Sequence, residues 1–542
     1  MSKHDQMGWF EFQTSSVKGA DIKVAAVEGV EALGRPYCFN LDLVTDRYDL
    51  DFDAMLRKPG ILIMRQAGTA ETYYHGIITS IEAHFEVVED KLLVKLTLEP
   101  MFSNLRDFFL NDTYVDNTNG FSCEDLLRTV LKRYGYQEGR DFEFKLSPSP
   151  RKRNFIVQYR ESVLDFIHRR IEFEGIYYYF EQGEYQEKVV FIDSISSLPV
   201  RNAELKYRPI GMFEADLYRI SLQAFNEKVR TVSSKSIIQN YNYRHASDMV
   251  VSEKHDQKAT FGEVMYFGAD IRDQSEGDHY AQIRLEEQMV NSRLLRGKGL
   301  ASGLRPGMGF SVTGHPRNAL NSDFRILTIR HQGSQTGYGL AVVEEESNGE
   351  DNFYTCEFEA IPQGTEFRLS RTVIWPRIEG YLPGFIDSEG SGKAAEIDNY
   401  GRYKVNFPFD VTDHKPARAS AWVRLATPYG GPGSSKETGM HFPLLKGAEV
   451  VISFMEGDPD QPIITGVLPN SLTPSTVNSN NNTLNRMVST SSNEVHLDDT
   501  PGTQGIRMRS SNGTAMFILG SFGGQFTNLT PEEILQSDED AT

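Results

Sequence analysis

"YCFNLDLV", residues 37–44, decides the fold class. Tyr37, Phe39, Leu41 and Leu43 alternate with Cys38, Asn40 and Asp42, so an extended chain here turns one apolar face to a core and one polar face away. The same period of two returns in "KLLVKLTLEP" at 91–100. Residues 20 to about 110 therefore read as a β-barrel or sandwich.

Two helices follow, each with a start and a stop. Ser122 is placed to cap the first, with Asp125 three residues on as an imperfect capping box, Phe121 and Leu126 as a staple, and Gly135 as the stop. Its buried face is Leu126, Leu127, Val130, Leu131 and Tyr134. The second runs from Ser162 to Glu174, with Val163, Leu164, Phe166, Ile167 and Ile171 apolar, and ends at Gly175 before "IYYYFE". A third helix fits "DHYAQIRLEEQMV" at 278–290. Up to about residue 370 the rest reads as short strands and turns, including "GLRPGMGFSVTGHP" at 303–316.

A second all-β unit spans 376–470. "RYKVNFP" sets Tyr403, Val405 and Phe407 against Arg402, Lys404 and Asn406, "AWVRLA" alternates again, and five or six such strands can close a small barrel. Residues 471–493 are mostly Ser, Thr and Asn and read as an extended linker. Beyond it, Val495/Leu497, Ile506/Met508 and Met516/Ile518 recur as a weak strand repeat. Strands this short bury too little in one chain, so several copies sharing one axial core are expected, which also covers the free edges.

Bulk properties narrow the function. A chain of 542 residues has room for three or four domains of roughly 150 residues each. The net charge of −19, with no basic run longer than "RKR" at 151–153, disfavours nucleic acid and anionic membrane surfaces. "MSKHDQMGWFEFQ" lacks the apolar stretch of a signal peptide, and no segment approaches a membrane span, so synthesis as a soluble cytoplasmic protein is expected. Cys38, Cys123 and Cys356 are too far apart for a zinc motif or a disulfide framework; Cys123 falls at a helix start, where a thiolate is favoured.

Sites of chemistry are sparse. "GSGKAA" at 390–395 lacks the leading glycine of a phosphate loop, at Asp387, and has Ala394 where Ser or Thr is needed, so it reads as a flexible turn. His168 and Glu172 lie one helical turn apart without a third metal ligand and read as a solvated helix face. Glu172 and Glu174 point in different directions and read as surface charges rather than an acid and base pair. "EGDPDQP" at 456–462 carries Glu456, Asp458 and Asp460 but not the twelve-residue calcium loop pattern. It sits between strand-like "AEVVISFM" and "IITGVLP" and reads as a hairpin turn with solvated carboxylates. No G-x-S-x-G, H-E-x-x-H or H-x-H occurs. Catalytic, cofactor-binding and metal residues are all expected to be none.

The motifs "QYRESVLDFIHRRIEFEGIYYYFE" (158–181), "RPYCFNLDLVTDRYDLDFDAMLRKP" (35–59), "YYHGIITSIE" (73–82), "LRPGMGFSVTGHP" (304–316), "YGRYKVNFPFD" (400–410), "WVRLATPYGG" (422–431) and "EGDPDQPIITGVLPN" (456–470) together resemble VgrG proteins, the spikes of bacterial type VI secretion systems. The resemblance runs from about residue 20 to 520. It implies a mainly β fold with a minor α component: a hub at 1–375 holding two tube-like barrels with inserted helices, an OB-fold neck at 376–470, the linker at 471–493, the start of a trimeric β-helix or β-prism needle at 494–520, and an acidic tail at 521–542.

It also implies a homotrimer that caps the hexameric Hcp tube, meets baseplate components, carries a PAAR-repeat tip protein with effectors and adaptor chaperones, and punctures membranes mechanically when a sheath contracts. Assembly in the cytoplasm and secretion by contraction follow, with no enzyme activity, cofactor or nucleic acid. The hub-spike of a phage tail or extracellular injection particle is the alternative. A cell-wall hydrolase is a third reading, for which only the 471–493 linker occupies the place of a catalytic domain.

Overall fold

A computed structural model describes residues 9–15, 21–66, 70–88, 91–149, 151–209, 220–256, 261–268, 270–335, 353–389, 394–412, 418–434, 438–511 and 515–520. The chain divides into two units: Met1–Asn154 with Gln158–Pro376, and Phe155–Val157 with Arg377–Thr542.

The first unit begins with strands β1 (Phe10–Thr14), β2 (Lys23–Ala32), β3 (Arg35–Thr45), β4 (Pro59–Met64), β5 (Thr72–Val88) and β6 (Lys91–Glu99), with a one-turn helix α1 (Phe52–Met55) between β3 and β4. They pair in the order β1-β4-β5-β6-β3-β2. The predicted alternation holds: Tyr37, Phe39, Leu41 and Leu43 of β3, and Leu92, Val94, Leu96 and Leu98 of β6, are all buried.

A helical section follows: β7 (Phe109–Val115), α2 (Cys123–Arg133), β8 (Phe142–Lys145), β9 (Phe155–Ser162), α3 (Val163–Glu174), β10 (Tyr177–Gln182) and β11 (Glu187–Ile192). Ser122 and Asp125 form a complete capping box on α2, where the sequence suggested an imperfect one. Ser122, Ser162 and Gly175 stand where the sequence placed them, and Gly175 ends α3 at φ +71°.

The chain returns as β12 (Asn202–Lys206) and β13 (Ser221–Val229), then makes an excursion through β14 (Lys235–Tyr241), β15 (Met249–His255), β16 (Glu263–Phe267) and α4 (Gln274–Val290). Helix α4 starts four residues before its predicted position, because Asp273 caps it through the Glu276 amide. Strands β17 (Arg293–Leu300), β18 (Gly309–Thr313), β19 (Asp323–Ser334) and β20 (Phe353–Pro362) complete the unit.

The sheet does not stop at β2. Ala26–Ala32 pairs antiparallel with Thr328–Ser334 of β19, and the order continues β19-β20-β17-β13, with β18 joining β19 to β12. The two expected barrels thus share one twelve-stranded sheet and one core, in which Phe39 and Leu98 from the first half cluster with Phe310 and Ile326 from the second. A buried polar knot fastens the join. Glu31 accepts from Tyr74 at 2.9 Å and meets His331 Nε2 at 3.0 Å, while His331 Nδ1 meets the Tyr354 hydroxyl at 2.7 Å. Gly29 is a close-approach position, since a Cβ there would stand 2.2 Å from the Phe39 ring.

The second unit contains β21 (Leu382–Asp387), β22 (Lys404–Asn406), β23 (Arg424–Leu425), β24 (Glu449–Phe454) and β25 (Pro462–Val467), paired in the order β22-β21-β24-β25-β23. Tyr403, Val405 and Phe407 are buried as their alternation requires. A separate antiparallel sheet then forms from β26 (Leu484–Val488), β27 (Glu494–Asp498), β28 (Gly505–Arg509) and β29 (Met516–Gly520). Strand β26 lies inside the segment expected to be a linker. Its Leu484, Met487 and Val488 are apolar enough to pair with β27 despite the surrounding polar residues. Residues 521–542, the expected acidic tail, lie outside the described residues.

Candidate assembly interface

"EGDPDQP" is a turn, as its flanks suggested: β24 and β25 pair on either side of it. Glu456 and Gly457 adopt left-handed backbone, at φ +54° and +74°. The carboxylates do more than face solvent. Asp458 accepts from the Asp460 amide at 3.1 Å and from Gln461 Nε2 at 2.9 Å, and Asp460 accepts from the Val157 amide at 2.7 Å. The Gly457 carbonyl receives the Ile378 amide at 2.8 Å. Among the described residues, no group of three or more His, Cys, Asp or Glu is arranged to hold a metal ion.

Cys123 is the first residue of α2, but it is buried, and burial pushes its thiol well up, outweighing the favourable helix terminus. Residues 390–393 of "GSGKAA" lie outside the described residues. The two arginines of "RKR" are buried: Arg153 grips Glu276 through two bonds of 2.9 and 2.8 Å and Asp270 at 2.5 Å. Burial alone would raise the Asp270 carboxyl, yet Arg153 and Arg151 hold it below its ordinary value.

The solvated reading of α3 is overturned. His168, Arg169, Arg170 and Glu172 are all buried, and Glu174 is half-buried against Tyr280, whose hydroxyl donates to it at 2.7 Å. Apolar residues flank α3 on more than one side, and only Asp165 in its first turn stays exposed; the apolar strands before and after it were the available signal. His168 meets the Tyr178 hydroxyl at 2.9 Å, and burial pushes its imidazole down to about 3, with Arg35 adding to the effect. Arg169 grips Glu161 through two bonds of 2.7 Å and lies 4.5 Å from the Trp375 ring centroid.

Glu172 is the pivot of this lattice. It accepts from Arg35 at 2.5 Å, from the amides of Thr372 and Val373 at 2.9 and 3.1 Å, and from the Thr372 hydroxyl at 3.1 Å. The irregular segment that closes the first unit is therefore pinned to α3 by a carboxylate rather than by a sheet. Arg368 extends the clamp, bonding Glu286 at 2.7 Å and the Gly175 carbonyl at 2.9 Å.

The second unit presents an uncovered apolar surface on its C-terminal strands. The register aligns Met487, Val495, Met508 and Phe517 in one row and Asn485, Leu497, Ile506 and Leu519 in the next, all on one face. Met487 and Met508 are 48% exposed, Leu497 41% and Leu519 52%. This face also lines an open groove of about 1650 Å³ with Phe442, Leu445 and Val467. The expected third pair, Met516/Ile518, falls on the opposite face, because Phe517 and Leu519 continue the row. On that opposite face Glu494 accepts from Arg486 at 2.8 Å and Arg507 at 3.0 Å. The expected needle segment thus folds as an antiparallel meander whose charges are paired on one face and whose apolar residues are bare on the other.

Among the described residues, no helix is long and apolar enough to cross a membrane. Residues 30–337 match the family described as phage tail baseplate hub (GPD), and residues 393–468 match the type VI secretion system/phage-baseplate injector OB domain. The chain is 27% identical over 473 residues to the type VI secretion system spike protein VgrG1b of Pseudomonas aeruginosa, covering 85% of this chain and 60% of that protein. It is 25% identical over 474 residues to spike protein VgrG3 of Vibrio cholerae, covering 84% of this chain and 44% of that protein. It therefore spans about three-fifths or less of these relatives. In fold it is similar to the E. coli c3393 protein, a type VI secretion component resembling T4 tail proteins gp27 and gp5, with TM-score 0.60, 22% identity and coverage of 84% of this chain and 100% of that one. It is also similar to a chain of the Francisella PdpA-VgrG complex, with TM-score 0.61, 9% identity and coverage of 95% and 86%.

Proposed function

The chain belongs to the phage tail baseplate hub family, and from that premise we propose that it is the hub and spike subunit of a type VI secretion system. Three copies assemble about one axis, cap the Hcp tube, and are driven through a target membrane when the sheath contracts. The observation that carries this reading is the bare apolar face of β26–β29, which the described residues of one chain leave uncovered and which three copies would turn inward to a common core. The relatives named as spike proteins support the same role.

The work is mechanical. A spike under load needs paired strand edges and buried, mutually satisfied charges, and the α3 lattice supplies the latter. No nucleophile, cofactor or bound metal enters the reading. Baseplate components at the hub, a PAAR-repeat tip protein, effectors and their adaptor chaperones are the partners it entails, with assembly in the cytoplasm and export by contraction. The match to a phage tail hub profile keeps a phage or extracellular injection particle as the second reading.

Mass in solution tests the assembly. Three times 61.3 kDa is expected at micromolar concentration, and a persistent species near 61.3 kDa overturns the trimer. Loss of secretion and of prey killing on deletion of the gene, restored by the intact chain, tests the role itself.

A further inference from the structure

The excursion between β13 and β17 forms a small layered module. Strands β15-β14-β16 make a three-stranded sheet, and α4 covers one side of it, packing Tyr280, Ala281 and Ile283 against Ile238 and Val250. Gly277 allows the approach, since a Cβ there would stand 2.3 Å from the Ser252 hydroxyl. The opposite side carries Ile237, Tyr241, Met249, Val251, Met265 and Phe267 in register. The last five are between 44% and 55% exposed, so an apolar row as wide as the one under α4 lies open.

From this we infer that the outer face of β14–β16 docks a short amphipathic helix of a partner protein, one with Lys or Arg flanking its apolar stripe. Size selects a helix. Three strands about 4.8 Å apart and five to seven residues long span roughly 10 by 17–24 Å, the width of one helix and the length of about three to four turns. A second copy laid face to face would set Glu253 and Glu263 of one rim against those of the other, like charge against like. Charge selects its flank. On this face Lys235 is shared between Glu253 at 2.9 Å and Glu263 at 3.7 Å, leaving a negative excess at the rim of a chain whose net charge is already −19. Met249 and Met265 supply an adaptable contact surface. The inference goes beyond the spike reading and does not depend on copy number.

The test uses the full chain and two fluorescent 14-residue helical peptides, each with a leucine stripe, one flanked by Lys and one by Glu. Fluorescence anisotropy is expected to show the Lys peptide binding at least tenfold tighter than the Glu peptide. Met249→Ser/Met265→Ser is expected to weaken the Lys peptide by at least tenfold while solution mass and melting temperature stay unchanged. Hydroxyl-radical footprinting is expected to find Met265 reactive in the free protein and protected by the peptide. Equal binding of both peptides, or undiminished binding to the double variant, overturns the inference as mere attraction to an acidic protein. Met265 already protected without peptide assigns the face to a second copy and overturns it as well. Because solution mass is read separately, a monomeric wild type would sink the trimer without touching this result.

Discussion

Glu172 and Arg35, 137 residues apart, meet at 2.5 Å with the carboxylate side chain 1% exposed. The pair joins α3 to the start of β3, and the same carboxylate holds residues 372 and 373. Removing it strips the Thr372 and Val373 amides of their acceptor and leaves Arg35, whose Nη2 also donates to the Thr372 hydroxyl at 2.6 Å, without its charged partner. Glu172→Ala is expected to cost about 3 kcal/mol, the usual scale for breaking a buried pair, and Glu172→Gln somewhat less. Urea denaturation measures the loss, and hydrogen exchange should show the Thr372 and Val373 amides losing protection first. Unchanged exchange at those amides would count against the clamp.

His168 sets a pH dependence. Its folded-state value of about 3 lies below the ordinary 6.5, so between these values the unfolded chain binds a proton that the folded chain does not. Stability is full above about pH 6.5 and falls as pH drops toward 3, by up to about 1.4 kcal/mol per unit. Asp270 and Glu276, held below their ordinary values despite burial, add a second loss only at lower pH, as each is protonated through its folded value. His168→Phe should reduce the first loss, between about pH 6.5 and 4.5, to the share left by His279 and His496, which burial also holds below their ordinary value, and leave the second. Melting curves across that range give the answer.

Leu497 and Met508 lie on the bare face of β26–β29, in adjacent rows. Leu497→Asp or Met508→Asp would bring several carboxylates together in a shared apolar core, so assembly should be lost, with the solution mass falling toward one chain. Arg509→Ala, on the opposite and exposed face, should leave the mass unchanged. Intact trimers from both acidic variants would mean that this face is not the one the copies share.

The β24–β25 turn should respond as a backbone device. Gly457→Ala forces a side chain onto φ +74° and is expected to cost about 1 kcal/mol. Asp458→Ala removes the acceptor for the Asp460 amide and the Gln461 amide group, for about 1–2 kcal/mol. Isothermal titration with calcium should give no heat that the double variant Asp458→Asn/Asp460→Asn removes; such a heat would reinstate a metal role for the turn.

Much of the fold was legible because period and punctuation are local. The alternation at 37–44, the caps Ser122 and Ser162, and the stop at Gly175 each depend on residues close in sequence. What stayed hidden depends on distant partners. Charges on α3 look solvated until Arg35, Glu161 and Trp375 are seen to surround them. The join of β2 to β19 has no local signature, and β26 was masked by its Ser- and Asn-rich setting. At the candidate interface the apolar repeat pointed to Val495, Leu497, Ile506 and Met508. The phase of the last strand was missed by one residue, since Met516–Leu519 is a continuous apolar run in which either alternate set fits.

The pairing of Gly29 with His331 has a consequence for synthesis. Strand β2 is complete early, but the strand that covers its outer side comes roughly 300 residues later. At about 5–20 residues per second, that edge waits roughly 15–60 seconds before its partner exists. During that time the nascent chain offers β2 to any other strand, including the same strand on a neighbouring ribosome. Closure over so long a loop is slow, so yield should depend on translation rate and chaperone supply more than on the stability of the finished sheet.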